Sequence, residues 1–446
     1  MRPILSAAEY ESLLQHLTVD EVRQAAAAIV SAAREIMTEH DLQRAVVLCG
    51  KSLQGIAELT AKALEAPLAI AGQDELPALD RSLICDLLLF STSDEPWFGA
   101  MNSHRGPILS VGIPTGVDPD TGRAKKMAVQ AKITVAPFAY LSGLFLQEGL
   151  DHCGVIRPIG GKADTGDGVY RFESEDAKRL LPPRKRTAHK GDSGKALLCV
   201  GSPKYVGAAL LSARACLAAG CGILFVACPD VVRAALGRLP EAIGVPVGVD
   251  WDADSCAVAI RAMEGMQALG LGCGVGHGDV SPLIKASLLT KLPLVLDADS
   301  LNCLSRHPEL YPLLHDRVVL TPHPGEMSRL AGLPVRQVLD DPIAIARKYA
   351  ECWGCTVLLK GAATVVSDGT RAHLIAEGNA GLGKGGSGDV LTGIVTGLLA
   401  QGVAPFDAAR LGSYLLGTSA DRAFDLLKER MLRATNVIEA LEDWNE

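Results

Sequence analysis

The stretch Gly378-Asn-Ala-Gly-Leu-Gly-Lys-Gly-Gly-Ser-Gly-Asp389, followed by the apolar run VLTGIVTGLLAQG (390–402), decides the fold of this chain. Six of the eleven residues 378–388 are glycine, which disfavours a regular helix or strand because each glycine loses extra backbone entropy on ordering. N–H groups without neighbouring Cβ atoms can converge on an anion, and a following helix adds its first N–H groups and positive dipole end. The pattern therefore predicts a phosphate-binding loop, then a buried helix beginning at Asp389.

Asp389 is the candidate general base of this predicted site. Beside a bound phosphate, its carboxylate would be placed to take a proton from a substrate hydroxyl. The alternative role is a plain helix N-cap, but a cap alone does not require six preceding glycines. The loop nearly matches a P-loop, yet Gly385 stands where Ser or Thr must hold magnesium, which argues against that class.

From Lys195 onward, short apolar strands alternate with glycine turns and helices. Such alternation predicts a mostly parallel sheet covered on both faces, with ligands at the carboxyl ends of its strands. The predicted strands are 195–201, 223–228, 267–271, 293–298, 317–321 and 356–360, followed by a hairpin of 362–367 and 371–376 and by helices at 389–401, 405–428 and 435–443.

Polar residues follow several of these strands at the point where each strand ends. Asp297 and Asp299 close one strand, the segment Thr-Pro-His-Pro-Gly-Glu (321–326) closes the next, and Lys360 closes the one after. A single such cluster is explained equally well by capping or turn formation. Clusters after consecutive parallel strands are better explained by one shared site.

Composition and charge exclude several classes of function. The chain has 446 residues, of which 48% are apolar and 21% charged, and a formal net charge of −8, which argues against a general nucleic-acid binder. The N-terminus lacks the apolar core of a signal peptide. The apolar stretch 206–228 contains Arg214 and a Gly-Cys-Gly break, so we predict a buried helix and strand instead of a membrane span. We therefore expect a cytoplasmic protein with no membrane or nucleic-acid partner.

The twelve cysteines lie mostly inside apolar runs and are predicted to be reduced core residues. Cys352-Trp-Gly-Cys355 has the spacing of a redox pair. It ends a predicted helix, however, whereas a reactive thiolate is stabilised at a helix start. A redox or metal function is therefore disfavoured for this pair.

Residues 1–165 predict a separate αβα domain. Two alanine-rich helices fill residues 1–40, and the predicted elements that follow are strand 45–49, helix 52–64 and strands 85–90, 108–113 and 132–136. Pro182-Pro183 and the basic run 184–186 indicate a solvated connection, so we place a linker at 166–188 and a second domain at 189–446.

The second domain resembles the NAD(P)H-hydrate dehydratase family of the ribokinase superfamily over about residues 185–445. The matching motifs are HKGDSG (189–194), GS…YVGAA (201–209), GCGVG (272–276), LDADSLN (296–302), LTPHPGE (320–326), LKGAAT (359–364) and GNAGLGKGGSGDVLTG (378–393). One departure is Gly383-Lys384, where the family usually has Ala-Thr; this lysine would contact a phosphate or point to solvent.

The resemblance implies a ribokinase-like αβα fold and conversion of the S form of hydrated NADH or NADPH back to the dinucleotide. The phosphoryl donor would be ADP or ATP, with ADP favoured, and Mg²⁺ would shield the phosphates. Asp389 would be the base. The residues implied in binding are Lys360, Gly361, Ala362, Ala363, Thr364 and Gly388 for the nucleotide, Gly385, Gly386, Ser387 and Gly388 for the transferring phosphoryl, and Ala208, Gly274, His323 and Asp389 for the hydrate. No metal-ligating residue is assigned, and a homo-oligomer is expected.

The first domain is similar to the Rossmann-like NAD(P)H-hydrate epimerase domain that is often fused to this dehydratase. The similarity rests on VVLCG (46–50), LLFSTS (88–93) and VGIPTGVDPDTG (111–122). The family's catalytic aspartate aligns with Leu87, one place from Asp86; its second aspartate is Gly112, and its serine is Thr115. We therefore expect a retained fold without epimerase activity.

Two other functions remain open from the sequence. One is a ribokinase-type kinase of a small hydroxylated vitamin precursor, and the other is a non-catalytic nucleotide-binding scaffold. The motifs around Asp297 and His323 favour the dehydratase over the kinase, and the intact glycine loop with Asp389 argues against the scaffold.

Overall fold

The computed structural model describes residues 2–71, 75–89, 96–160, 168–183, 186–187, 189, 191–276, 278–427 and 429–443. The chain divides into two compact units, Met1–Arg171 (unit 1) and Phe172–Glu446 (unit 2). Parts of two predicted segments, 90–93 and 184–185, lie outside the described residues.

Unit 1 contains a parallel sheet. Its elements are β1 (Arg2–Leu5), α1 (Ala7–Gln15), α2 (Val19–Glu39), β2 (Ala45–Cys49), α3 (Gln54–Leu64), β3 (Leu68–Ile70), β4 (Leu83–Leu87), α4 (Pro96–Ser103), β5 (Ile108–Val111), β6 (Ile133–Pro137), β7 (Tyr140–Leu141), α5 (Gly149–His152), β8 (Val155–Ile159) and β9 (Val169–Arg171). The sheet order is β3-β2-β4-β5-β6-β8 with every pair parallel, while β1 pairs separately with β7 and β9.

The local sequence explains these elements of unit 1. Strand β2 reads AVVLC and is buried along its whole length, as expected for a strand covered on both faces. Helix α2 begins with a capping box in which Thr18 and Glu21 satisfy each other's backbone N–H groups. The sequence predicted β2 correctly but missed β1, which is too short to give a pattern.

Unit 2 contains the longer sheet. Its elements are α6 (Ser174–Leu180), β10 (Lys195–Cys199), α7 (Val206–Ala218), β11 (Ile223–Cys228), α8 (Asp230–Ala235), β12 (Ala242–Pro246), α9 (Ala253–Arg261), β13 (Ala268–Leu271), α10 (Ser281–Thr290), β14 (Leu294–Leu296), α11 (Asp299–Arg306), β15 (Val318–Leu320), α12 (Pro324–Ala331), α13 (Val335–Asp340), α14 (Pro342–Trp353), β16 (Thr356–Leu359), β17 (Thr364–Ser367), β18 (Ala372–Ile375), α15 (Ser387–Ala400), α16 (Pro405–Leu427) and α17 (Ala434–Glu442).

The sheet order of unit 2 is β12-β11-β10-β13-β14-β15-β16-β17-β18. Neighbouring strands pair in parallel from β12 to β16. The pairs β16–β17 and β17–β18 are antiparallel. One face packs against α7, α15, α16 and α17, where buried apolar side chains form a continuous core. The carboxyl ends of β13 to β16 therefore meet at one edge of the sheet, as the sequence predicted.

Two predictions for unit 2 need correction, and the predicted linker contains regular structure from both units. Strand β12 was missed because its sequence, AIGVP, contains Gly and Pro and is only partly buried at the sheet edge. Part of the predicted linker 166–188 is regular structure, since β9 and α6 fall within it. Helix α15 begins at Ser387, two residues before the predicted start, so Asp389 is its third residue.

The apolar stretch 206–228 forms helix α7 and strand β11, as predicted, and Arg214 pairs with Glu442 at 2.7 Å. Among the described residues, no helix is long and apolar enough to cross a membrane. All twelve cysteines are free thiols; Cys352 is exposed at the end of α14, and burial raises the pKa of Cys355. Cys352 thus lies at the end of a helix and not at a helix start, as the sequence predicted.

Candidate active site

Four polar segments lie together at the carboxyl edge of the unit 2 sheet. They are residues 272–276 after β13, 297–299 after β14, 321–323 after β15, and 360–361 after β16. The four strands are parallel neighbours, so the segments are brought to the same edge although they span almost ninety residues of sequence. This edge of the sheet is therefore the location of the candidate active site.

Asp297 and Lys360 form a buried ion pair at this edge. The Lys360 Nζ lies 2.7 Å from Asp297 Oδ1, and the Asp297 side chain is 1% exposed. Thr392 of α15 donates its hydroxyl to the second carboxylate oxygen at 2.8 Å. Burial alone would lower the pKa of Lys360, but the carboxylates of Asp297 and Glu326 raise it, so the ammonium stays charged.

The glycine loop brings the start of α15 directly against this ion pair. Gly386 is the residue before the helix and has φ +105°, a conformation that favours glycine. A Cβ at Gly388 would lie 3.5 Å from Lys360 Nζ and 3.6 Å from Asp297 Oδ2. The first helical hydrogen bond runs from Val390 N to Gly386 O, so the preceding amides have no acceptor within the helix. These amides are suited to an anion.

Asp389 lies in the first turn of α15 and is largely buried. Burial raises the pKa of its carboxyl to about 6, a hydrogen bond from the Cys273 thiol opposes this shift, and the negative charge of Asp297 adds to it. A carboxylate with a pKa near neutrality can take up and release a proton under physiological conditions. Because Asp389 is not the N-cap, the capping role considered from the sequence does not apply.

Ser387, the third member of the predicted anion hole, has its hydroxyl engaged by the loop itself. Its Oγ lies 2.8 Å from Leu382 O and 3.1 Å from Lys384 O. The side chain therefore holds the loop closed, and only its backbone N–H faces the position expected for an anion at the helix start.

His323 is the N-cap of helix α12, and Glu326 in the first turn of that helix links it to the ion pair. The ring Nδ1 accepts from Gly325 N at 3.0 Å, and the backbone N–H of His323 donates to Glu326 Oε2 at 2.9 Å. Glu326 Oε2 is 3.8 Å from Lys360 Nζ. Burial raises the pKa of Glu326 to about 7, partly opposed by Lys360. Burial, together with the positive charge of Lys360, lowers the pKa of His323, so its ring is neutral at pH 7.

Ala208 and Gly274, both predicted to contact the hydrate, are neighbours. A Cβ at Gly274 would lie 2.8 Å from the Ala208 Cβ and 2.7 Å from the Tyr205 Cβ. Gly274 belongs to the same turn as Cys273, which contacts Asp389. The structure therefore brings these two predicted residues to the same side of the site as the candidate base.

The residues predicted to contact a nucleotide are only partly brought together. Lys360 and Gly388 are adjacent, as described above. Gly361 and Ala362 are exposed, Ala363 is buried, and Thr364 is the first residue of β17. The exposed pair forms a polypeptide surface next to Lys360 that a nucleotide could reach.

Lys384 has neither of the two orientations considered from the sequence. Its Nζ donates to Arg430 O at 2.7 Å and to Leu432 O at 2.8 Å. The ammonium thus holds the glycine loop against the segment before α17, where carbonyl groups need donors. No sequence pattern could have indicated this contact, because the two segments are almost fifty residues apart.

In unit 1, Asp86 lies in β4, one residue before Leu87, and its carboxylate is fully buried. The buried Asp86 carboxylate accepts hydrogen bonds from Thr115 Oγ1 at 2.7 Å, Thr115 N at 2.9 Å and Ser110 Oγ at 3.0 Å. It also accepts from Leu88 N at 3.2 Å. Burial raises its pKa, and these hydrogen bonds oppose the shift. Every described hydrogen bond of Asp86 is therefore to another residue of unit 1.

Four side chains of the site, Cys273, Asp297, Glu326 and Thr392, were not assigned from the sequence. Asp297 and Glu326 were noticed only as parts of strand-end motifs, and Thr392 was not noticed at all. The sequence signal for Asp297 and Glu326 was their position after consecutive parallel strands. Thr392 could not be found this way because it lies one turn inside a helix that reads as continuously apolar.

Comparison with known proteins matches parts of both units to protein families. Residues 196–442 match the family described as NAD(P)H-hydrate dehydratase, and residues 94–143 match the family described as YjeF-related protein N-terminus. A bifunctional NAD(P)H-hydrate repair enzyme of Moorella thermoacetica is 34% identical over 364 residues, which are 76% of this chain and 67% of that protein. The enzyme of the same name from Coxiella burnetii is 32% identical over 420 residues, or 90% and 84% of the two chains.

Solved structures agree with the fold of unit 2. An ADP/ATP-dependent NAD(P)H-hydrate dehydratase from Bacillus subtilis, co-crystallised with ATP and Mg²⁺, has a TM-score of 0.55 and 29% identity over 63% of this chain and 98% of its own. A ribokinase-like superfamily protein from Enterococcus faecalis has a TM-score of 0.54 over 64% and 97% of the two chains; at 23% identity, it shows the fold alone.

The parallel sheet, the glycine loop before α15 and these likenesses define an enzyme of ribokinase-like fold joined to a second α/β unit, which confirms the predicted fold class. The chain belongs to the NAD(P)H-hydrate dehydratase family, and the relatives described above are bifunctional NAD(P)H-hydrate repair enzymes.

Proposed function

We propose that unit 2 catalyses the nucleotide-dependent dehydration of the S form of NAD(P)H hydrate back to NAD(P)H, with residues 189–446 as the dehydratase domain. One observation carries the proposal: Asp389, with its pKa raised to about 6, lies in the first turn of a helix that follows a glycine loop and contacts a buried ion pair. This is the arrangement needed to activate a hydroxyl beside a phosphate.

In the proposed reaction, Asp389 takes the proton from the hydrate hydroxyl as its oxygen attacks the terminal phosphoryl group of the nucleotide. The bond from that phosphorus to the bridging oxygen of the nucleotide breaks, and the remaining nucleotide leaves as AMP from ADP, or as ADP from ATP. The carbon–oxygen bond of the new phosphate ester then breaks, and inorganic phosphate leaves with the electron pair of that bond. Loss of a proton from the neighbouring carbon restores the double bond. The backbone N–H groups of Gly385, Gly386, Ser387 and Gly388 would stabilise the charge on the transferring phosphoryl.

The remaining residues would position the two substrates. Lys360 would place its ammonium near the phosphates, with Asp297 fixing its direction through the 2.7 Å ion pair. Residues 361–364 and Gly388 would contact the nucleotide. Ala208, Gly274 and the neutral His323 would line the hydrate site, where the small Ala208 and Gly274 let the start of α7 approach the turn after β13 closely.

Magnesium fits the chemistry of the site. The carboxylates of Asp297 and Glu326 are the hard oxygen ligands that Mg²⁺ prefers, and both face Lys360 at the same edge of the sheet. These two residues would hold the ion together with the nucleotide phosphates, whose negative charge it would neutralise.

We further propose that unit 1, as residues 1–165, keeps an epimerase-like fold without epimerase activity. The support is that Asp86 accepts its described hydrogen bonds from Thr115, Ser110 and Leu88, and that the position aligned with the family's second aspartate is Gly112. The test is to incubate the R hydrate with the full chain carrying Asp389→Asn and to follow its conversion to the S form by chromatography. Conversion above the spontaneous rate would refute this proposal.

The dehydratase is tested by the recovery of nicotinamide absorbance from purified S hydrate with Mg²⁺ and either ADP or ATP. Recovery with ADP alone would support the proposed donor, and recovery with ATP alone would replace it. Accumulation of a phosphorylated product without recovery would indicate a small-molecule kinase instead. Binding of nucleotide without either product would indicate a scaffold.

The role of Asp389 is tested by Asp389→Asn, which keeps the shape of the side chain and removes the base. We expect nucleotide binding to persist and the dehydration rate to fall by about 10²–10⁴-fold, the usual contribution of a general base. Turnover at the wild-type rate would remove Asp389 from this role.

A further inference from the structure

Asp279, Cys303 and His307 converge in unit 2 through contacts that the dehydration proposal does not use. Asp279 precedes α10, while Cys303 lies in α11 and His307 ends that helix four residues later. The Asp279 Oδ1 is 3.7 Å from Cys303 Sγ and 3.7 Å from His307 Nε2. One ligand atom from each of the three residues lies within 4.8 Å of the other two.

These separations fit a tetrahedral zinc ion. With Zn–S near 2.3 Å and Zn–N or Zn–O near 2.0 Å, tetrahedral angles place sulfur about 3.5 Å and nitrogen about 3.3 Å from the carboxylate oxygen. The observed distances of 3.7 Å exceed these values by only a few tenths of an ångström. Small side-chain movements would therefore complete three sides of the coordination sphere.

A fourth side chain orients the histidine. His307 Nδ1 lies 2.9 Å from Glu309 Oε1, and because an ionised carboxylate can only accept, the proton belongs on Nδ1. With Nδ1 directed at Glu309, Nε2 is the ring nitrogen that faces Asp279 Oδ1, at 3.7 Å. A zinc ion could bind both this nitrogen and the carboxylate oxygen, and a carboxylate behind the ligating histidine is the usual partner in zinc sites.

The other ligands are also fixed in place. Asp279 Oδ1 accepts from Ser281 N at 2.9 Å, which orients the carboxylate at the start of α10. The Cys303 side chain is buried while Asp279 is exposed, so one side of the cluster is open to solvent. That open side leaves room for a water molecule as the fourth ligand.

We propose that Asp279, Cys303 and His307 bind one Zn²⁺ ion, with Glu309 as the carboxylate that orients His307. The ion would join the end of the glycine turn after β13 to helix α11. The other end of α11 is already tied to that turn, because Asp299 accepts from Gly276 N at 2.8 Å. Zinc would thus fix the turn that carries Gly274 without touching the reacting atoms.

The test uses the reduced full-length chain, stripped of metal and titrated with Co²⁺ as a spectroscopic substitute for zinc. We expect one equivalent to produce the sulfur-to-cobalt charge-transfer band of a thiolate ligand, and Zn²⁺ to displace it. Cys303→Ser should abolish the band, whereas the matched control Cys352→Ser, which changes an exposed cysteine elsewhere, should keep it. No band in the wild-type chain, or a band that survives in Cys303→Ser, would overturn the proposal.

Two further variants separate ligation from folding. Asp279→Asn changes an exposed residue and should weaken Zn²⁺ binding while leaving the circular dichroism spectrum unchanged. Glu309→Gln should weaken Zn²⁺ binding by about 10–100-fold, the usual effect of losing the carboxylate behind a ligating histidine. The exposed control Glu264→Gln should bind zinc as the wild type does. Unchanged affinity in both Asp279→Asn and Glu309→Gln would show that the metal binds elsewhere.

Discussion

Replacing Lys360 with methionine tests the buried ion pair at the centre of the proposed site. Methionine has a similar length and volume but no charge, so the substitution leaves the packing nearly intact. The Asp297 carboxylate, 1% exposed, would keep only its hydrogen bonds from Thr392 and Ala298. The effect of the substitution is therefore mainly that of an uncompensated buried charge.

The expected size of the effect follows from this burial. Removing one partner of a buried ion pair costs about 3–5 kcal/mol in the free energy of unfolding, because the remaining charge cannot regain its hydration. At about 1.4 kcal/mol for each factor of ten, amide hydrogen exchange in β14, β15 and β16 should become at least about a hundredfold faster. The amides of β4 in unit 1 should exchange at the wild-type rate and serve as an internal reference.

Hydrogen exchange of the full chain, read by mass spectrometry, measures each strand separately. Lys285→Met is the matched control, since Lys285 is exposed on α10, and surface substitutions usually change stability by less than about 0.5 kcal/mol. Adding Asp297→Asn to Lys360→Met should slow exchange again by removing the unpaired charge. Wild-type exchange in Lys360→Met, or faster exchange still in the double variant, would refute the reasoning.

Three other predictions concern the base, the sheet edge and unit 1. Because burial raises the pKa of Asp389 to about 6, its carboxylate is protonated below that pH and cannot act as a base. The value of kcat/KM should therefore fall about tenfold per pH unit below pH 6 and level off above it. A pH profile that is flat from pH 5 to 8 would contradict this assignment. Gly272→Ala should lower Tm strongly, because φ at Gly272 is +119° and a Cβ there would lie 1.9 Å from the backbone oxygen of Asp297. The matched change Gly207→Ala, at a position in α7 with open space around it, should raise Tm slightly. Equal Tm values for the two variants would argue against the close approach at Gly272. Asp86→Asn should cost about 1–3 kcal/mol, seen as faster hydrogen exchange in β4, with dehydration unchanged, because an amide cannot accept all the bonds that Thr115 and its neighbours donate; unchanged exchange would show that these bonds do not stabilise unit 1.

Much of the fold was predictable because its signals are local. The buried strands read as short apolar runs of β-branched and leucine residues, so β2 and β11 were predicted with their observed bounds. Weak local signals account for the elements that were missed. Strand β12 contains glycine and proline at a partly exposed edge, and β9 with α6 lies in a stretch whose prolines indicate a connection.

The start of α15 shows why boundaries are harder. Glycine is a poor helix former, so the sequence places the first helical residue after the last glycine, at Asp389. In the structure, Gly386 is the residue before the helix, and a Cβ at this position would come within 2.8 Å of Leu211 and 3.0 Å of Ala434. The two-residue shift changes the role of Asp389 from a possible cap to a side chain inside the first turn.

The amino-acid sequence alone determined the parallel α/β architecture of the second domain, the glycine loop and the candidate base, because periodicity and glycine content act over a few neighbouring residues. Only the tertiary structure decided which side chains surround that base. Asp297 meets Lys360 across 63 positions and Thr392 across 95, and Asp86, not Leu87, faces Thr115. Such contacts depend on strand order and on which face of a strand a residue occupies, and a one-residue shift along a strand reverses that face.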